Sequence, residues 1–210
     1  MKHPLSIIKS LFLVAFLALT FLSCSKKSGP AKVLVFSKTA GWHHTSIPFG
    51  IAAIQKLGIE NGFEVDTTTN ADYFNEDSLK NYSAVVFLST TGDVLNHYQQ
   101  ADFERYIQAG GGYMGIHAAA DTEYDWPWYG KLVGGYFLDH PGINDKSPNV
   151  QEGVLNIVDK SHPSTSFLPE KWTKTDEFYS YKNLNPNTKV VMTIDEDSYE
   201  GGAKIGNHPM

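Results

Sequence analysis

Cysteine occurs once in the 210 residues, at Cys24, and arginine once, at Arg105. One cysteine rules out an internal disulfide and any metal site built from several thiolates. One arginine in a chain of formal net charge −6 argues against the basic stripe that binds nucleic-acid phosphates and against a bidentate guanidinium clamp for phosphosugars. Internal repeats and low-complexity runs are also missing, which leaves neither a solenoid nor a polar disordered chain. What remains is an acidic chain suited to neutral polar ligands. Its 13% aromatic content, with four Trp and eleven Tyr, supplies rings that can stack on sugars or fill a core.

The one long apolar run is N-terminal. Lys2 and Lys9 form a basic start, Ile7 to Leu22 are almost wholly apolar, and Phe21-Leu-Ser-Cys24 resembles the lipobox ahead of the lipidated cysteine in bacterial lipoproteins. Residues 1–23 therefore read as a signal peptide. Cys24 reads as the lipidation site, 24–31 as a lipidated tether of polar and small residues, and 32–210 as the domain. A transmembrane anchor competes, since about 18 apolar residues suffice to span a bilayer, but small Ser23 beside Cys24 favours cleavage. The expected location is the cell envelope, anchored by lipid, periplasmic or outer-membrane-associated in a Gram-negative cell. Cleavage removes two of the 17 basic side chains and none of the 23 acidic ones, taking the formal charge from −6 to −8. With Cys24 lipidated, no thiol is left to act as nucleophile or ligand.

The domain alternates strands and helices. Lys32-Val-Leu-Val-Phe-Ser37 is a continuous apolar run, as in strands buried on both faces, and an amphipathic helix follows from Ser46 to Asn61. Further strands are predicted at Phe63 to Thr67, Ser83 to Ser89 and Tyr113 to Ile116. A short helix is expected from Asp72 to Leu79 and a longer one from Asn96 to Ala109. This rhythm predicts an α/β fold of three layers, a mostly parallel flavodoxin-like sheet with helices on both faces. Beyond Asp121 the pattern changes: Trp126 to Val133 is a short helix, Val154 to Asp159 alternates like an antiparallel strand, and Asp176 to Tyr181 and Lys189 to Ile194 are further strands.

In Gly110-Gly-Gly-Tyr-Met-Gly-Ile-His117-Ala-Ala-Ala-Asp121 a glycine-rich lead enters a strand that ends on His117. Open parallel sheets bind ligands beyond the carboxyl ends of their strands. His43 and His44 occupy the first loop at that same edge. His140 and His162 each precede proline, which holds them in extended loops, whereas His97 starts a helix and is expected at the surface.

The order Gly41-Trp-His43-His44, Gly110 to His117, Trp126 to Tyr129, Phe137 with His140-Pro141, His162-Pro163 and Asp176-Glu177-Phe-Tyr179 resembles the ThuA-like family, named from trehalose utilisation. The resemblance spans the mature chain and implies the fold of the class I glutamine amidotransferase-like superfamily. In those amidotransferases the strand matching Tyr113–Ile116 ends in a nucleophilic cysteine. Here it ends in His117, and imidazole cannot form the glutaminyl thioester, so glutaminase activity is not expected.

The resemblance implies a carbohydrate ligand of trehalose or 3-keto-sugar type, with a sugar oxidoreductase as a possible partner. Two chemistries fit. His117 and Glu177 could form an acid/base pair oriented by Asp121, with apolar neighbours raising the Glu177 pKa. Alternatively His117, His140 and His43 or His44, with Glu177, could bind a divalent ion such as Zn, Mn or Fe. Trp42, His43, His44, Trp126, Trp128 and Tyr179 are the candidate substrate contacts. A non-catalytic glycan-binding lipoprotein is the alternative. ThuA-like sequences resemble this one as far as Gly206-Asn-His208-Pro209-Met210 and continue through a further strand and helix, so a truncated, less stable domain is expected.

Overall fold

The computed structural model describes residues 29–206 and 208–210. The expected signal segment 1–23, Cys24 and most of the tether 24–31 lie outside them. Among the described residues no helix is long and apolar enough to cross a membrane.

The first half of the domain is a parallel sheet built from β1 (Lys32–Phe36), β2 (Glu64–Thr68), β3 (Ala84–Leu88) and β4 (Gly112–Ile116), in the order β2-β1-β3-β4. Helix α1 (Ile47–Asn61) connects β1 to β2, short α2 (Glu76–Leu79) leads to β3, and α3 (His97–Gln108) links β3 to β4. Successive residues of a strand face opposite sides. Val35, Val86 and Leu88 accordingly pack with Ile47 of α1, while Leu34, Phe36, Val85 and Phe87 pack with Phe103 of α3 on the other face. This two-sided burial explains why the central strands β1 and β3 are continuous apolar runs. Each such side chain contributes about 1.5–3 kcal/mol. Asn96 caps α3 in a capping box with Gln99, and Gly62 ends α1 in the left-handed conformation at φ 72°.

The second half adds α4 (Pro127–Val133), β5 (Tyr136–Asp139), β6 (Val150–Ile157), β7 (Lys171–Glu177), β8 (Ser180–Lys182) and β9 (Met192–Asp195). Strands β7-β6-β9 form an antiparallel sheet and β5 pairs antiparallel with β8. The strand expected over Asp176 to Tyr181 is divided. Phe178 turns into the apolar cluster of Leu155, Ile194 and Tyr199, so β7 stops at Glu177 and the chain resumes in another sheet. Gly153 on β6 makes room for that turn, since a Cβ there would lie 2.5 Å from the Phe178 ring. Strand β5 falls in a stretch to which the sequence assigned no element, and the last strand begins at Met192 instead of Lys189. The helix expected from Asp72 to Leu79 is a 3-10 turn, Ala71–Tyr73, followed by α2.

Candidate active site

Three segments deliver side chains to the carboxyl edge of the parallel sheet. The loop after β1 is tied to the loop after β3, where Ala40 N donates to Thr91 O at 2.7 Å and the Thr91 hydroxyl donates to Trp42 O at 2.9 Å. That tie holds His44 over the sheet. Strand β4 leads directly into His117, the first residue of a 3-10 turn, with a left-handed φ of 53°. Non-glycine residues avoid that region, and such outliers concentrate where a side chain must be aimed. Glu177 comes from the other sheet, at the end of β7.

The carboxylate of Glu177 is the hub. Its Oε2 lies 2.9 Å from His117 Nε2 and 4.0 Å from His44 Nε2, and its Oε1 lies 3.4 Å from His140 Nε2. Asn149 donates to Oε1 at 2.6 Å. The Tyr179 hydroxyl is 3.3 Å from His117 Nε2, with the two rings 4.4 Å apart. His44 meets the His117 ring edge-on at 4.7 Å, and its Nδ1 is buried without a hydrogen-bond partner. His140 Nδ1 donates to Pro141 O at 2.8 Å, which turns Nε2 toward Glu177.

The electrostatics correct one expectation. Burial pushes the Glu177 carboxyl up, but hydrogen bonds from His117 and Asn149 and the neighbouring His140 outweigh it and bring the pKa down to about 2. Glu177 is therefore an ionised carboxylate and not the protonated acid that its apolar neighbours suggested. Burial, reinforced by His117, lowers the His44 pKa and keeps that ring neutral near pH 7. Burial and the Glu177 charge push the Tyr179 hydroxyl well above its ordinary value, so it stays a hydrogen-bond donor.

The predicted residues divide. Trp42, 74% exposed, His44, Asp121, Phe137, His140, Glu177 and Tyr179 line a cavity of about 380 Å³. Asp121 accepts from the Tyr124 hydroxyl at 2.5 Å and makes no hydrogen bond to His117. His43 opens onto the adjoining cleft, but its Nδ1 meets the Thr39 hydroxyl at 3.3 Å and it stands outside the cluster that His44 joins. Trp126 and Trp128 are not at the site. They stack on each other at 5.1 Å and pack against Phe103, because α4 lays that face on the core. Asn149 went unrecognised in the sequence, where nothing distinguishes it from its polar neighbours. His208 carried a readable signal, another His-Pro pair, and the structure buries it against Glu196 and Tyr179 O.

The sequence profile of the ThuA family, described as trehalose utilisation, matches residues 32–210. The chain belongs to the ThuA family. A ThuA-like protein from Bacteroides uniformis superposes with a TM-score of 0.68 at 22% identity, covering 90% of this chain and 79% of that one. A second, from Parabacteroides merdae, gives 0.65 at 21% identity, covering 86% and 74%. At these identities the likeness concerns the fold: a ThuA domain carries the parallel sheet and the layers around it. No curated protein matches the chain.

Proposed function

We propose that this ThuA domain is a carbohydrate-processing enzyme acting on a trehalose-type or 3-keto sugar by proton transfer. The observation that carries the reading is the position of Glu177, with an ionised carboxylate held between His117 Nε2 at 2.9 Å and His140 Nε2 at 3.4 Å at the ligand edge of the sheet. In this reading His140 Nε2 takes a proton from the sugar carbon beside the carbonyl, and Glu177 stabilises the imidazolium that forms. The protonated Tyr179 hydroxyl donates to the sugar oxygen on which charge develops. His117 orients the carboxylate, and exposed Trp42 offers a stacking face for the ring. Envelope placement on lipidated Cys24, with a sugar oxidoreductase supplying the keto sugar, is part of the same proposal and rests on the sequence.

Exposed Trp42 in the cavity wall equally favours a glycan binder without turnover. Incubating the protein with a 3-keto-glucoside, beside His140→Ala and His117→Ala, separates the two. An enzyme turns the sugar over, and both variants lose at least about 100-fold in rate while retaining ligand-induced quenching of tryptophan fluorescence. Saturable binding without turnover in the wild type would reject the catalytic reading.

A further inference from the structure

We propose that His44, His117 and Glu177 form a binding site for a divalent transition-metal ion of the zinc class. One ligand atom from each residue lies within 4.8 Å of the others, although the three residues come from the β1 loop, the end of β4 and the end of β7. Two imidazoles and a carboxylate, with a position left for water or substrate, form a donor set that zinc uses in catalysis. Zinc bonds of about 2.0–2.2 Å in a tetrahedral site place neighbouring donors about 3.4 Å apart. The distances from Glu177 Oε2 to His117 Nε2, 2.9 Å, and to His44 Nε2, 4.0 Å, fall on either side of that spacing. Shifts of about half an ångström would bring both of these distances to that spacing.

Two further observations point to a ligand. His44 is a largely enclosed ring packed edge-on against His117, and its Nε2 makes no hydrogen bond to the protein and comes only to 4.0 Å from the carboxylate, which leaves that nitrogen open to a ligand. The other oxygen of Glu177 is already occupied, because Oε1 accepts from Asn149 at 2.6 Å and faces His140 at 3.4 Å. Those contacts orient the carboxylate so that Oε2 alone is turned toward His44 and His117, as outer partners do at metal centres.

An ion here would polarise a carbonyl oxygen entering the cavity and leave His140 as the proton carrier. That use of the ion rests on the proposed reaction, whereas its binding does not. The test is calorimetric titration of the full, untagged chain, detergent-solubilised and stripped by chelator, with Zn²⁺. One equivalent is expected to bind with a Kd below about 1 µM. His44→Ala and the near-isosteric Glu177→Gln should each weaken binding by more than about 100-fold, since loss of an outer-shell partner alone costs 10–100-fold. His97→Ala, on an exposed helix start, should bind as the wild type does. Circular dichroism reports folding, and Glu177→Gln decides the matter if His44→Ala unfolds. Absence of stoichiometric binding, or wild-type affinity in a folded Glu177→Gln protein, overturns the site. Zinc binding without sugar turnover would remove the reaction and keep the site. Turnover in a protein that binds no zinc would do the reverse.

Discussion

His208 Nε2 lies 2.6 Å from the carbonyl oxygen of Tyr179. On its other side Nδ1 meets Glu196 Oε1 at 2.8 Å, and Glu196 also accepts from the amides of Ile205 and Gly206. The ring thus binds the segment after β9 to the turn that carries Glu177 and Tyr179. Leaving buried hydrogen-bonding groups without a partner costs about 1–3 kcal/mol, so His208→Ala should lower unfolding stability by roughly 2 kcal/mol in urea titrations. A loss below about 1 kcal/mol would mean that the pair is not a structural element.

A pH effect follows at the loop bearing His140. Asp145 accepts from the amides of Gly202 at 2.7 Å, Ser147 at 2.8 Å and Gly142 at 3.1 Å, and these bonds lower its pKa to about 2. A carboxyl depressed in the folded state stabilises it above the ordinary carboxylate pKa and loses that contribution as pH falls toward the folded value. Hydrogen-exchange protection of the Gly202 amide should therefore hold at pH 5 and decline between about pH 4 and 2. Asp145→Asn should show the weaker protection already at pH 5.

The backbone at His117 can be tested apart from its ring. Left-handed φ costs an L-residue about 1–2 kcal/mol, and glycine is free of that cost. His117→Gly should therefore be more stable than His117→Ala by about 1 kcal/mol, although both lack the imidazole. Equal denaturation midpoints would show that φ 53° carries no strain.

Tryptophans on the two sides of the domain should behave oppositely. Trp126→Ala removes part of the cluster around Phe103 and should cost roughly 3 kcal/mol of stability without changing sugar affinity. Trp42→Ala should change stability by less than about 0.5 kcal/mol and weaken sugar binding about tenfold. Affinity unchanged by Trp42→Ala would take that ring out of the binding surface.

These contrasts mark what the sequence could reveal. The parallel sheet was legible because strands buried on both faces must be continuous apolar runs, and Lys32 to Ser37 and Ser83 to Ser89 are. His117 was legible because a glycine-rich strand ends on it. The split of Asp176 to Tyr181 was not, because an apolar run does not tell which side chain turns into which layer, and Phe178 and Glu177 part company only in three dimensions. The choice of His44 over His43 depends on how the β1 loop is fastened to Thr91, a contact between distant residues. Trp126 and Trp128 carried the wrong signal, since a ring that stacks on sugar and one that fills a core are the same residue type.

The turn at Phe178 also governs how the site comes into being. His44 and His117 are fixed by the parallel sheet, whereas Glu177 reaches them only when Phe178 seats among Leu155, Ile194 and Tyr199. Such long-range closure is entropically costly and contributes nothing to local stability until it is complete. Reappearance of the Glu177–His117 pair thus reports that the parallel sheet is in place and that Phe178 has docked the antiparallel layer on it.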